Sequence, residues 1–378
     1  MIDTEDNAIP LLSFFTGGGF MDMGFISAGF DVVWTNEVDK MFATLYKEGI
    51  TNWKKKRRLI TRSAECSISN QNSIKDISAE TILRESFRGN RPPIFGIIGG
   101  PPCQDFSSNG NLDGFKGDRG SLTDAYLYKI LELQPAFFVM ENVTGLVKVK
   151  KNANHFFELL NIMSENYLID WTTLNSLNFN VPQSRERIFV VGINRNKFDL
   201  SSHDSGTYGW FPFHTNKTDI NPHKDLEWPA ATAFGMAQRK PPKIPLHLCV
   251  ESCLVPPEKE ASTPNADEYF NLLGDRGSLK SIKEGETNRP SFKRLHRYKY
   301  SPTACYGNNE VHLHPYQHRR LSVREALRIQ GVDDAYVLTT KGQLTKKFKM
   351  VGNGVPVPLA EGLAKSLLKF IDTLPVKK

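Results

Sequence analysis

Five short apolar runs constrain this chain more than any other feature. Residues 11–15, 30–35, 94–98, 136–140 and 187–193 each have the length and composition of a buried strand. Helical stretches such as 124–133, with apolar residues at helical spacing, lie between them. Strands alternating with helices predict an α/β fold with a mostly parallel sheet covered on both faces. Such sheets bind ligands beyond the carboxyl ends of their strands. There the sequence places unusual residues: glycines after residue 15, Asn36-Glu37, Gly99-Gly100-Pro101-Pro102-Cys103, and Glu141-Asn142.

From about residue 194 to 310 the periodicity is lost, and prolines, histidines, glycines and isolated aromatics predict a second, smaller and irregular domain. Regularity returns at 319–330, and residues 358–371 read as a helix with Pro358 in its first turn and Leu359, Leu363 and Leu367 at i+4. The expected division is residues 1–193 plus 346–378 as one domain and 194–345 as the other.

The 378 residues carry a formal charge of +7, which favours a polyanionic partner. The run Lys54-Lys55-Lys56-Arg57-Arg58 reads as a solvated loop. No run approaches the ~18–20 apolar residues of a membrane span, and the polar N-terminus is unlike a signal peptide. Five scattered cysteines argue against a disulfide framework, and Cys249 with Cys253 lacks the second pair or histidine cluster of a zinc site. A cytoplasmic protein without metal or membrane is expected.

Four segments carry chemistry. Phe14-Phe15-Thr16-Gly17-Gly18-Gly19-Phe20 is a strand, a glycine turn and a helix start, which brings backbone close to a nucleotide-bearing ligand. Glu37 is placed for ribose hydroxyls and Asp76, before Ile77, for an adenine amino group. A structural turn and a dinucleotide site are the competing readings. In the second segment, prolines hold Cys103 rigidly beyond a strand, as a nucleophile requires, whereas a lone cysteine is more often a small buried hydrophobe. In the third, Phe138-Val139-Met140-Glu141-Asn142-Val143, a carboxylate at an apolar strand end is desolvated and suits an acid, though a capping or ion-paired glutamate fits equally. In the fourth, Val181-Pro182-Gln183-Ser184-Arg185-Glu186-Arg187, Gln183, Arg185 and Arg187 fall on one face of an extended chain. Two unpaired guanidinium groups suit an electron-rich base or a phosphate, and a salt-bridge cluster with Glu186 is the bland alternative.

In this order the four segments resemble the cytosine-C5 DNA methyltransferase family of the bacterial restriction-modification type. Asp118-Arg119-Gly120-Ser121-Leu122, the stretch from Arg319-Arg320-Leu321-Ser322 through Glu325 to Gln330, and Gly352-Asn353-Gly354-Val355-Pro356 extend the resemblance over about residues 11–193 and 314–370. Departures from the family pattern are Phe20 in place of a glycine, Asp105 in place of a small residue or proline, Asn180 in place of glycine, and Gly354 in place of alanine or serine.

The resemblance implies a Rossmann-like S-adenosylmethionine-dependent methyltransferase domain with an irregular target-recognition domain. It implies methyl transfer from S-adenosylmethionine to C5 of cytosine in a short duplex sequence, through a Cys103–C6 adduct and base flipping. Glu141 would protonate N3, with Arg187 and its supporting Arg185 at the O2 edge. The implied cofactor pocket comprises Phe15, Gly17, Gly19, Glu37, Val38, Asp76, Ile77, Pro102, Leu122, Asn353 and Val355. Gln104 and Ser107, on a glycine-rich loop expected to close over DNA, join Arg276, Arg289, Arg294 and Arg297 as DNA-contact candidates, beside Lys280, Lys293 and His296. The implied protein is a monomer on double-stranded DNA in the nucleoid, protecting a site that a cognate restriction endonuclease also reads without stable complex. A tRNA cytosine methyltransferase shares these segments. A nucleotide-dependent oxidoreductase leaves the Pro-Cys-Gln and Gln-x-Arg-x-Arg blocks unexplained, and a DNA-binding protein without catalysis is at odds with the presence of Cys103, Glu141 and Arg187.

Overall fold

The apolar runs form the centre of a six-stranded sheet, and their alternation decides which helices cover which face. The structure is a computed structural model that describes residues 8–102, 121–204, 206–213, 218–272, 277–306 and 311–377. The sheet segment runs β1 (Pro10–Phe14), α1 (Phe20–Ser27), β2 (Asp31–Asn36), α2 (Lys40–Lys56), α3 (Ala79–Phe87), β3 (Gly96–Gly99), α4 (Leu122–Leu133), β4 (Phe137–Val143), α5 (Gly145–Lys148), α6 (Lys150–Ser164), β5 (Tyr167–Asn175) and β6 (Glu186–Asn194). There follow α7 (Pro222–Asp225), β7 (Lys293–Arg294), β8 (His312–Leu313), α8 (Val323–Ile329), α9 (Leu344–Asn353) and α10 (Val357–Asp372).

The strand order is β2-β1-β3-β4-β6-β5. The first four strands are mutually parallel, and β6 runs antiparallel to both β4 and β5. In β4, Phe137 and Val139 join one core cluster while Phe138 and Met140 join the other, the two-residue period of a strand buried on both faces. The first face is covered by α1 and α10, through Phe25, Leu359, Leu363 and Leu367; the second by α4 and α6, through Tyr126, Ile130, Phe156 and Leu160. Each such fully buried side chain contributes about 1.5–3 kcal/mol.

β5 was not among the expected strands. Its pattern is broken by Asp170, which is fully buried yet accepts hydrogen bonds from the backbone amides of Gly209 and Phe211, at 2.9 and 2.7 Å. Trp210 donates to the Ile169 carbonyl at 3.0 Å, so the segment after β6 covers this sheet edge.

A third cluster joins the C-terminal part to α2: Tyr46, Ile50 and Trp53 pack with Leu327, Tyr336, Phe348 and Val351. The Tyr336 hydroxyl donates to the Gly18 carbonyl at 2.9 Å, and Gly49 leaves space for its ring. The described residues between 194 and 306 are mostly short turns and 3-10 segments, as the loss of periodicity predicts. Among the described residues no helix is long and apolar enough to cross a membrane.

β1, α1 and α2 are tied by a carboxylate that follows the glycine turn and lines the same cleft. Asp22 is buried and accepts from Ser13 Oγ at 2.6 Å and from the Tyr46 hydroxyl at 3.2 Å. Both donors are neutral, so burial dominates and lifts its pKa from 3.8 to about 6. The folded state thus holds this proton more tightly than the unfolded chain, and the associated stability is lost as pH rises through about 6. Between pH 5 and 8 the wild type should lose about 1 kcal/mol relative to Asp22→Asn, measured by urea unfolding. Parallel pH profiles would contradict this.

Candidate active site

The cleft opens where the sheet's carboxyl edge meets the glycine turn. Phe15, Gly17 and Gly19 all have positive φ, at 53°, 56° and 77°, which turns the chain from β1 into α1 within five residues. The Gly17 amide donates to Glu37 Oε2 at 2.9 Å, and the Asp39 amide donates to Oε1 at 2.8 Å. Those bonds fix Glu37 at the end of β2, while burial raises its pKa. Val38, beside it, is 62% exposed and lines the pocket.

Of the expected cofactor residues, Phe15, Gly17, Glu37, Val38, Pro102, Leu122, Asn353 and Val355 line one pocket, together with Asn72, Ser73, Ile74 and Glu141. Three are placed elsewhere. Gly19 serves packing, since a Cβ there would meet the Tyr46 ring at 2.6 Å. Asp76 is exposed and Ile77 lies in the core; the 3-10 turn that begins at Ile74 turns Asn72, Ser73 and Ile74 toward the pocket instead.

Two departures from the family pattern explain each other. A Cβ on Gly354 would lie 2.2 Å from the Phe20 ring. A large residue after the glycine turn thus occupies the space that a side chain at 354 would need.

The second half of the cleft is an ion pair across β4 and β6. The antiparallel register places Arg187 opposite Val143, diagonal to Glu141 on the same face. Arg187 Nε lies 3.0 Å from Glu141 Oε1, and both side chains are nearly buried. Desolvation raises the Glu141 pKa above the usual carboxylate range, against the opposing pull of Arg187 and Arg185. Gly100 makes room for this carboxylate, because a Cβ there would sit 2.9 Å from Glu141 Oε2. Asn142 donates to the Pro101 carbonyl at 3.1 Å and anchors the proline segment that leads to Cys103. Cys103, Gln104, Ser107 and the loop expected to close over DNA lie outside the described residues.

Gln183, Arg185 and Arg187 have different tasks. Gln183 is fully buried, donates to Gln330 Oε1 at 3.0 Å and accepts from the Ala304 amide at 2.9 Å. Gln330 in turn donates to the Val351 carbonyl at 2.6 Å, which ties the approach to β6 to the turn that closes the pocket. Arg185 is buried and donates to the Ala304 and Asn353 carbonyls at 3.3 and 3.5 Å; burial, with Arg187 beside it, pulls its pKa down to about 9. Arg187 is not the unpaired guanidinium expected, since it pairs with Glu141. Glu186 pairs instead with Lys148, at 3.3 Å.

Three expected DNA contacts are corrected, the first being His296, which is 1% exposed. Arg294 is 1% exposed and donates to the carbonyls of Leu279, Ile282 and His314 at 2.7–2.9 Å, so it is a scaffold residue. Arg297 grips Glu284, fully buried, through two bonds of 2.8 Å, which leaves its guanidinium committed. Arg289 is part-exposed and paired with Glu286 at 2.5 Å, and Arg276 lies outside the described residues. Among the described residues, no group of histidine, cysteine, aspartate or glutamate could hold a metal ion.

An open α/β sheet with a glycine-turn pocket that runs into a desolvated acid is the layout of a nucleotide-cofactor enzyme. The sequence profile of the C-5 cytosine-specific DNA methylase family matches residues 9–369, and the chain belongs to that family. It is a DNA (cytosine-5-)-methyltransferase. It is similar to the Type II methyltransferase M.NmeDI of Neisseria meningitidis serogroup C, with 36% identity covering 98% of this chain and 86% of that protein. M.FnuDI of Fusobacterium nucleatum is 29% identical over 98% of this chain and 97% of its own length. In fold, the solved Dnmt2 methyltransferase of S. pombe superposes with a TM-score of 0.61 at 14% identity, covering 96% of this chain and 99% of that one.

Gly354→Ala should destabilise the wild type by about 1–3 kcal/mol through overpacking. In a Phe20→Leu background the same change should cost markedly less, as a double-mutant cycle of urea unfolding would show. Equal costs in both backgrounds would refute the compensation.

Proposed function

We propose that the chain transfers a methyl group from S-adenosylmethionine to C5 of a cytosine flipped out of duplex DNA, with Cys103 as nucleophile. The Glu141–Arg187 pair, in a pocket continuous with the glycine turn and with Pro102, is the observation that carries this reading. The pocket suits the cofactor: Glu37 keeps acceptor capacity beyond its two backbone bonds for ribose hydroxyls, and Phe15 and Val38 offer apolar surface for a base. When bound, S-adenosylmethionine supplies an electrophilic methyl group.

The residues would act in order. Cys103, its thiol proton given up to solvent, adds through sulfur to C6 while N3 takes a proton from Glu141. C5, now enamine-like, forms its bond to the methyl carbon as that carbon's bond to the sulfonium sulfur breaks, the electron pair leaving on sulfur in S-adenosylhomocysteine. Water removes the C5 proton, the S–C6 bond breaks, and Glu141 regains its proton from N3. Burial favours a protonated Glu141 before the addition, and Arg187 stabilises the carboxylate after it and charge developing at O2. Arg185 holds this arrangement from behind. Because C6 is shielded in a stacked duplex and the pocket is concave, the base must leave the helix.

Residues 194–345 are the proposed target-recognition domain. Host protection within a restriction-modification system, by a cytoplasmic monomer alongside a nuclease that reads the same site, accords with relatives named Type II methyltransferases.

Wild-type protein with labelled S-adenosylmethionine should label C5 of cytosine at one short motif in mixed-sequence duplex DNA. Cys103→Ser should abolish transfer, and Glu141→Gln should slow it by about 10²–10⁴-fold. Label in tRNA but not in duplex DNA would overturn the substrate, and full activity in Cys103→Ser would overturn the nucleophile.

A further inference from the structure

We propose that Lys148, Lys150 and Lys151 form a phosphate-binding rim beside the catalytic cleft, holding one backbone of the duplex while the target base enters. The inference rests on the reading of duplex DNA as substrate, and it names a binding surface that the expected DNA contacts did not include.

The location comes from both flanks. The chain leaves β4 at Val143, directly after Glu141 and Asn142, and reaches Lys148 through α5. Lys148 Nζ lies 3.3 Å from Glu186, the residue before Arg187, so it stands at the entrance to β6. On the other flank, His155 on α6 contacts Asp124 at 3.0 Å, and Asp124 forms the capping box with Ser121 at the start of α4. The first turn of α6 therefore lies between the start of β6 and the start of α4, on the carboxyl edge that carries the acid.

All three lysines are exposed, and Lys148 is tied locally only through Glu186 at 3.3 Å. Lys150 and Lys151 have no ion pair among the described residues. They occupy the first turn of a 15-residue helix that has no acid there and no side-chain cap. Cations at that end oppose the helix dipole. The basic run Lys54–Lys56 is the instructive contrast. It closes the last turn of α2, where the dipole favours cations. Charges kept against their own helix, beside a cleft whose substrate is a polyanion, are accounted for by that substrate.

The test is fluorescence anisotropy with a duplex oligonucleotide over a range of salt, comparing wild type with Lys148→Gln/Lys150→Gln/Lys151→Gln. Each lost phosphate contact lowers the slope of log K against log salt by about 0.9. The variant should bind at least about tenfold more weakly near 0.1 M salt, with a slope smaller by up to about 2.7. Its affinity for S-adenosylmethionine, by calorimetry, and its single-turnover rate at saturating DNA should match wild type. Coincident affinities and slopes in a wild type that binds the duplex would overturn the rim alone. A wild type that binds no duplex at any salt would overturn the substrate reading, and the rim with it.

Discussion

The site depends on one diagonal contact, the Glu141–Arg187 pair between two strands that run in opposite directions. Were β6 parallel to β4, its first residues would lie at the far end of the sheet, and no guanidinium from it could reach the acid. The antiparallel register brings Arg187 beside Val143 and so against Glu141. Both side chains are nearly out of water, where removing one partner of an ion pair typically costs 3–5 kcal/mol. The neighbours can be understood as support: Gly100 leaves the volume, Asn142 anchors the proline segment, and Arg185 adds a second positive charge from a buried position.

The cofactor half is closed from the other end of the chain. Tyr336 bonds the carbonyl of the glycine turn, Gln330 holds the turn after α9, and Gln183 connects that turn to β6. The C-terminal segment thus fixes both halves of the cleft at once. The exchange of bulk between Phe20 and Gly354 occurs at this seam, where a departure in one segment is tolerated because the other gives way.

The sheet and the buried acid of the cleft were legible because each strand of the first half is a near-continuous apolar run that ends in a residue with distinctive chemistry. β5 was hidden because Asp170 interrupts its pattern, and the backbone amides that satisfy this carboxylate come from a segment about forty residues later. Arg294 and Arg297 were misjudged for a related reason. A cluster of cations reads as a surface, yet whether a guanidinium meets water or carbonyls is set by tertiary packing around residues 279–284 and 314. Asp76 and Ile77 were expected in the pocket wall, but the turn presents Asn72 to Ile74 there instead. The lysines of the rim raised no signal at all, since their significance lies in which end of which helix they occupy.

The most direct test of the proposed chemistry is covalent trapping on duplex DNA carrying 5-fluorocytosine at the target position, with mass spectrometry of the product. Methyl transfer to that base leaves fluorine on C5, where no proton can be removed, so elimination is blocked. The account predicts a stable protein–DNA adduct that requires S-adenosylmethionine, carries one added methyl group and maps to Cys103. An adduct at another residue, or methyl transfer that leaves no adduct, would contradict it.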